Sequence, residues 1–489
     1  MKPYLILPVL RFGVRLGAVS VVAAVLWSQA VWGQTIPNPS FEADTFTVFP
    51  GYIRDNGPIT GWTGTPPERV GLNPGGGTPF ANNGTIPDGD NVAFIQSNAS
   101  DPSTLSTLST TISGLVPGTT YKVTFRANVR GNRTPPNQPH AKVYIDNMSV
   151  MLPGAPGMPP DGFTVAEVGG TAPYWYAAFE FTAMAESQTL SIVNDVTGDQ
   201  TLLVDDFRIA PSSGRWTVEQ WVTDEDSGVD PSYFYTHAYN LGSGANLTIN
   251  NVNFTGVAGA APAVPGKFST TYFAKNPVSD PGALVFGNSA TMAAQFVYGG
   301  DVPAGSPQSI TLEGLTPGTE YVMTVFSVAW ENPSEESRWA TLSVGDDYLT
   351  VNQDQFGNHA GLRFSYRYTA DASGTVTMQF APFIPKNTSI HVYGFANREA
   401  ESRFVGPEIV VEPRDFTVSP GVPVTFAVNA SGIPLPSYQW RFNGQDLPGE
   451  VNATCTLPAA SAADAGLYDV VVANLVGAVT SRVARLTVG

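Results

Sequence analysis

The chain has one cysteine, Cys455, in 489 residues, so no disulfide can form within it and each domain must be held by its apolar core alone. Charge is scarce too. Charged residues make up 13% of the sequence, too few to supply the wet face of long helices with Glu, Lys and Arg. Basic residues are the scarcer sign, 24 against 41 acidic ones for a formal net charge of −17. Phosphate backbones and anionic lipid repel such a chain, which argues against nucleic acid as a partner. The four histidines, His140, His237, His359 and His391, are scattered, and neither His-Glu-x-x-His nor Gly-x-Ser-x-Gly occurs. The usual handles of metal-dependent and serine hydrolases are therefore missing.

What is abundant is Gly (49) and Pro (41), with 11% aromatic residues, a balance that fits turn-rich β structure. At the start, Lys2, Arg11 and Arg15 precede an apolar run from Leu16 to Trp27, and Ser28, Ala30 and Gly33 offer cleavage points. Residues 1–33 thus read as a secretory signal, too short in its apolar part for the roughly 20 residues that span a bilayer. No similar run follows, so the mature chain is expected to be secreted or displayed at the cell surface without a membrane span. An exported chain of this size without disulfides points to a bacterial source.

A length of 489 residues suits about three or four domains of roughly 100 to 200 residues. The clearest internal signal is a repeat: Gly114-Leu-Val-Pro-Gly-Thr-Thr-Tyr121 returns 200 positions later as Gly314-Leu-Thr-Pro-Gly-Thr-Glu-Tyr321. Each Pro-Gly suits a type II turn, and each Tyr opens an alternating strand, Tyr121-Val123-Phe125-Ala127 and Tyr321-Met323-Val325-Ser327 on the inner face. Downstream, Phe179 to Ala183 leading to Leu190, and Phe364 to Ala370 leading to Val376, correspond as well and read as hairpins. The predicted architecture is all-β: sandwiches over 35–210 and 216–398, joined at Pro211-Ser-Ser-Gly, and a third domain over 404–489.

The first of these resembles galactose-binding-like jelly rolls, a class that includes many carbohydrate-binding modules. The resemblance rests on Asn38-Pro-Ser-Phe-Glu42, Gly61-Trp62, the Gly114 to Tyr121 turn and Val204-Asp205-Asp206-Phe207. It implies that Trp62 is core, and that a structural Ca²⁺ lies between the first and last strands with Ser40, Glu42, Asp205 and Asp206 as its oxygen donors. The second sandwich is similar to the same class, carried mostly by the repeated turn. Its acidic turn, Asp224, Asp226, Gly228 and Asp230, has a spacing that can wrap a cation, but Tyr235 stands where a bidentate Glu would close the loop, and a solvated loop is expected instead. The third domain resembles the immunoglobulin fold of the intermediate type through Gly421 to Val428, Trp440 and Asp464-Ala-Gly-Leu-Tyr468-Asp-Val470. There Val428 and Val470 stand where that fold usually carries its disulfide, and Cys455 reads as a buried small hydrophobe.

Glycan recognition needs aromatic faces and a few fixed polar groups. The candidates are Tyr174-Trp175-Tyr176, near Arg133, Asn137 and His140, and the pair Trp330 and Trp339. Adjacent aromatics on a strand alternate, so Trp175 faces away from its neighbours and one side is buried. The expectation is a non-catalytic protein that binds polysaccharide or surface glycan, with protein partners also possible. The alternative is a structural surface or matrix protein with no sugar site.

Overall fold

A computed structural model describes residues 33–74, 84–97, 105–130, 138–151, 162–196, 198–299, 306–329, 338–383, 389–401 and 404–489. The expected signal segment lies outside these residues, apart from Gly33, as do Arg133, Asn137 and Trp330. Residues 34–489 cluster as one compact unit. The fold is almost wholly β, and no described helix is long and apolar enough to cross a membrane.

The first sandwich opens with β1 (Trp62–Thr65), β2 (Val70–Pro74), β3 (Asn91–Gln96), β4 (Ser106–Ser113) and β5 (Thr120–Val129). It continues through β6 (His140–Ile145), β7 (Met148–Ser149), β8 (Phe163–Thr164), β9 (Trp175–Thr182), β10 (Ser187–Asn194) and β11 (Thr201–Pro211). One sheet runs β1-β4-β10-β6-β7, with β8 beside β6, and the facing sheet runs β2-β3-β11-β5-β9. The first and last segments meet where the Phe207 N–H donates to the Pro39 carbonyl at 3.0 Å. Trp62 is core, 4% exposed, its indole N–H satisfied by the Pro37 carbonyl at 2.9 Å.

The second sandwich begins with β12 (Trp216–Trp221), β13 (Tyr235–Gly242), β14 (Leu247–Ile249), β15 (Val252–Ala258) and β16 (Phe268–Thr271). After β17 (Val278–Ser279) and β18 (Gln295–Phe296) come β19 (Gln308–Leu312), β20 (Glu320–Val328), β21 (Trp339–Val344) and β22 (Asp347–Asn352). The strands β23 (Gly361–Thr369), β24 (Val376–Pro382) and β25 (Gly394–Glu399) complete it. Its sheets run β16-β19-β24-β21-β22 and β12-β23-β20-β25-β13-β15-β14. Matched by the repeated turn, β4, β10 and β6 correspond to β19, β24 and β21, and β11, β5 and β9 to β25, β20 and β23, in the same spatial order. The repeat therefore marks a duplicated topology.

The turns agree in detail. Gly118 and Gly318 have φ of +83° and +79°, the left-handed conformation that Gly adopts without steric cost. The Tyr121 hydroxyl accepts the Val116 N–H at 3.0 Å, and the Tyr321 hydroxyl accepts the Thr316 N–H at 3.1 Å. Tyr121, Val123, Phe125 and Ala127 are at most 1% exposed, as the alternation requires. The expected hairpins are not formed: β9 pairs with β5 and β10 with β4 and β6, while β23 and β24 likewise lie in opposite sheets. Both strands of each pair are apolar enough to face the same core, so the chain arches across the sandwich instead of turning back within one sheet.

The third domain packs Trp440, Val428, Val470, Phe426 and Cys455 into its own core. The Tyr468 hydroxyl donates to the Asp464 carbonyl at 2.9 Å, the tyrosine corner expected of an immunoglobulin-like sandwich. Cys455 is 1% exposed, and burial first, then the neighbouring Glu450 charge, pushes its thiol up to about 12.

Candidate ligand cleft

On β5 the odd residues face the core and the even ones, Lys122, Thr124 and Arg126, face outward. Directly across on β9 stand Glu180, Ala178 and Tyr176, in register with Lys122, Thr124 and Arg126. This outer face meets the face of β21 and β22 in the second sandwich. The Thr341 hydroxyl donates to the Tyr176 carbonyl at 2.5 Å, and the Ala178 N–H donates to the Thr350 hydroxyl at 2.8 Å. Lys122 pairs with Asp347 across the joint and with Glu180 on its own side at 3.4 Å. Ser212 and Ser213 of the linker donate to Glu180 and Asp347, each at 2.6 Å.

Apolar contacts close one side of the joint. Phe163, stacked in the first core against Phe179, has its ring centroid 4.5 Å from Phe383 and 6.3 Å from Trp339. Trp339 is 5% exposed and, although it stands on a strand of the second sandwich, packs into the core of the first. It is cement between the domains, not the open sugar platform expected. Trp175 is buried too, its indole N–H donating to the Ala166 carbonyl at 2.8 Å, and Tyr174 is 1% exposed.

Tyr176 is the member of that aromatic run that turns outward. Its ring stacks on Tyr348 at 4.0 Å with an interplanar angle of 17°, and the Arg126 guanidinium sits 3.2 Å from the centre of the Tyr176 ring. Burial, then the neighbouring Tyr176 hydroxyl, pushes the Tyr348 hydroxyl up to about 12. Around these groups lies a cavity of about 260 Å³ bordered by Tyr174, Ser343, Gln379 and Pro382. A second hollow of about 580 Å³ lies along the same joint between Lys122, Arg208, Arg215, Asp346 and Tyr366. Sequence reasoning found Tyr176 but missed Arg126, Tyr348 and Gln379, because nothing local to those residues tells that two sheets meet there.

Arg126 donates through Nη1 to the Tyr174 carbonyl at 2.9 Å, while its Nε is buried without a hydrogen-bond partner. Burial lowers its pKa, partly offset by Tyr176 and Asp206. No carboxylate among the described residues forms an ion pair with it.

The four expected calcium donors are brought to one end of the first sandwich but are differently employed. Glu42 accepts the N–H groups of Asp90 and Asn91 at 2.9 and 2.7 Å. Asp206 holds Arg208 through Nε and Nη2 at 2.8 and 3.1 Å. Ser40 donates to Asp88 at 2.6 Å, and the Asp88 N–H donates to Asp205 at 3.1 Å. Asp205 is fully buried, its Oδ1 has no hydrogen-bond partner, and burial above all, reinforced by the charges of Asp206 and Asp88, raises its pKa to about 8. An orphaned carboxylate oxygen beside Ser40 and Asp88 suits a hard cation, yet among the described residues no three acidic or imidazole groups converge on one point. Asp88, in the turn Pro87-Asp-Gly-Asp90, was not foreseen. The acidic turn of the second sandwich is spent locally: Asp224 accepts the Asn288 and Ser289 N–H groups, and Asp230 that of Ser232.

Comparisons with known proteins place the third domain more firmly than the first two. Residues 406–474 match the immunoglobulin domain family model. A stretch of 93 residues, 18% of the chain, is 36% identical to endoglucanase C of Cellulomonas fimi and spans 8% of that protein's length. Among solved structures, titin domain M7 is similar at 28% identity over 18% of this chain and 99% of its own, with a TM-score of 0.17. A chimeric titin Z1Z2 is similar at 26% identity over 18% of this chain and 98% of its own, also at 0.17. Part of the chain is thus an immunoglobulin-like domain, appended to two β-sandwiches of shared topology.

Proposed function

We propose that this is an exported, non-catalytic protein whose first two sandwiches, of the jelly-roll type, recognise a carbohydrate in the cleft between them. The observation that carries the reading is the pairing of Tyr348 and Tyr176 beside Arg126, Ser343 and Gln379 around a cavity of about 260 Å³. Aromatic rings flanked by a few fixed polar groups are what a pyranose needs. The volume is below the roughly 300 to 1,000 Å³ of pockets for drug-sized ligands, which suits one or two sugar units held within a longer chain. Arg126 and Tyr348 both pack against the Tyr176 ring, so on this reading Tyr348 is the ring that stacks on the sugar. The short match to an endoglucanase supports a polysaccharide setting. On this reading Asp205, Ser40 and Asp88 form the seat of a structural Ca²⁺, with Glu42 and Asp206 shaping the turns around it.

The test is retention of the full chain on a panel of immobilised polysaccharides, with Tyr348→Ala beside it. Retention on one glycan class, lost in a Tyr348→Ala protein that melts within a few degrees of the parent, is the expected result. No retention from the folded parent, or full retention by the variant, overturns it. A structural role without a sugar site is favoured by the burial of Trp175 and Trp339 in the core of the first sandwich, and predicts that aromatic substitutions alter stability alone.

A further inference from the structure

We propose that the cleft selects glycans bearing carboxylates, uronic-acid residues in a polysaccharide, and that Arg126 is the residue that reads the carboxylate. This rests on the glycan-binding reading above and names the class of sugar. In a chain with 41 acidic residues against 24 basic ones, cations are the scarcer resource, and the other basic groups along this joint already have acceptors. Lys122 is held by Asp347 and Glu180, Arg208 by Asp206, and Arg215 donates to the Tyr366 hydroxyl at 3.5 Å. Arg126 borders the cavity, donates through Nη1 to the Tyr174 carbonyl, lies over the Tyr176 ring, and has no carboxylate partner among the described residues.

A guanidinium without a carboxylate partner at a cavity wall is free to meet one from a ligand, and it does so through a planar fork that an ammonium lacks. The Tyr176 ring beneath it fixes the plane of that fork. Tyr348 then offers a ring face next to the carboxylate, and Ser343 and Gln379 supply hydroxyl and amide groups at the cavity's border. A uronate presents these features together: a pyranose face, hydroxyl groups and one carboxylate. The net charge of −17 disfavours non-specific adsorption of a polyanion, so retention of such a polymer reports a specific contact.

The experiment uses the full chain against polygalacturonate, the same polymer fully methyl-esterified, a neutral β-glucan and polyglutamate. Three variants accompany it: Arg126→Gln, Arg126→Lys, and Arg482→Gln on the immunoglobulin-like domain as a control for net charge. The expected result is retention on polygalacturonate weakened about 10- to 100-fold by esterification and by Arg126→Gln. Arg126→Lys should recover part of it, and Arg482→Gln should change nothing. Melting curves show that each variant is folded. Equal retention of acid and ester, unchanged by Arg126→Gln, overturns the uronate inference and leaves glycan binding standing. Retention on polyglutamate but on no polysaccharide overturns it in favour of an acidic peptide. Absence of retention on every polymer overturns both readings.

Discussion

The two sandwiches share a strand order, yet they use the same outer face in opposite ways. In the first, the outward residues of β5 are Lys122, Thr124 and Arg126, a polar row that a neighbouring domain covers only in part. In the second, the equivalent positions on β20 are Val322, Thr324 and Phe326. Phe326 is fully buried under a layer the first sandwich lacks, against Trp221, with ring centroids 4.9 Å apart, and Phe254. Even the cross-strand pair is inverted: Arg126 lies opposite Tyr176, whereas Phe326 lies opposite Arg363. A face closed by its own chain becomes core. A face closed by the next domain is left with a cleft, and that is where Arg126 sits without a carboxylate partner.

The comparison breaks most sharply at Trp339, whose counterpart in the first sandwich is His140 by strand register. His140 pairs there with Asp195 at 2.6 Å in a partly buried polar contact. Trp339 instead reaches from the second sandwich into the core of the first, so Trp339→Ala should cost about 3 to 5 kcal/mol and uncouple the domains. Denaturant unfolding should pass from one shared transition for the two sandwiches to two. Phe326→Ala should cost a similar amount and leave them coupled. A single unaltered transition in Trp339→Ala would mean that the polar contacts alone hold the joint.

How much of this the residues announced depends on distance along the chain. The repeat at Gly114 and Gly314 follows from local turn chemistry and alternation, while the tyrosine corner at Tyr468 and the core places of Trp62, Val428 and Val470 were implied by resemblance to known sandwiches, and all were legible. The joint was not. Nothing near the even positions of β5 marks them as covered by another domain, and Tyr174-Trp175-Tyr176, half of it expected to be buried, and the pair Trp330 and Trp339 were the stacking candidates, because composition cannot distinguish an aromatic exposed to solvent from one covered by another domain. The arch from β9 to β10 was misread as a hairpin for a related reason: two apolar strands close in sequence look alike whether they pair or face each other. Asp88 was missed because its turn carries no apolar period at all.

A second way to sharpen the contrast is pH, since the second sandwich has no counterpart of Asp205 at its last strand. The native state raises this carboxyl from 3.8 to about 8, so between those limits it keeps a proton that the unfolded chain has lost. Without a cation, Asp205 should therefore lower stability by about 1.4 kcal/mol per pH unit as pH rises from about 4 to about 8, and no further above that. Asp205→Asn should remove the slope and make the first sandwich more stable than the parent at pH 8 in chelator. If the site takes Ca²⁺, millimolar calcium at pH 8 should raise the parent's melting temperature and leave the variant's unmoved. Identical melting of the parent in calcium and chelator would leave the buried carboxyl as a structural acid alone.

The immunoglobulin-like domain gives the smallest expected effect, and the reason lies in what it has in place of a crosslink. Val428 and Val470 pack against Trp440 where a disulfide would sit, so the core is apolar throughout and Cys455 is one more small member of it. Cys455→Val conserves volume and hydrophobicity and should cost less than about 1.5 kcal/mol. The thiol, held up to about 12 by burial and by Glu450, should resist a thiol reagent at pH 8 in the native chain and react fully once the domain is unfolded in urea. Rapid labelling of the native chain would show that this core opens far more readily than the joint between the sandwiches, and would move the weakest point of the molecule to its third domain.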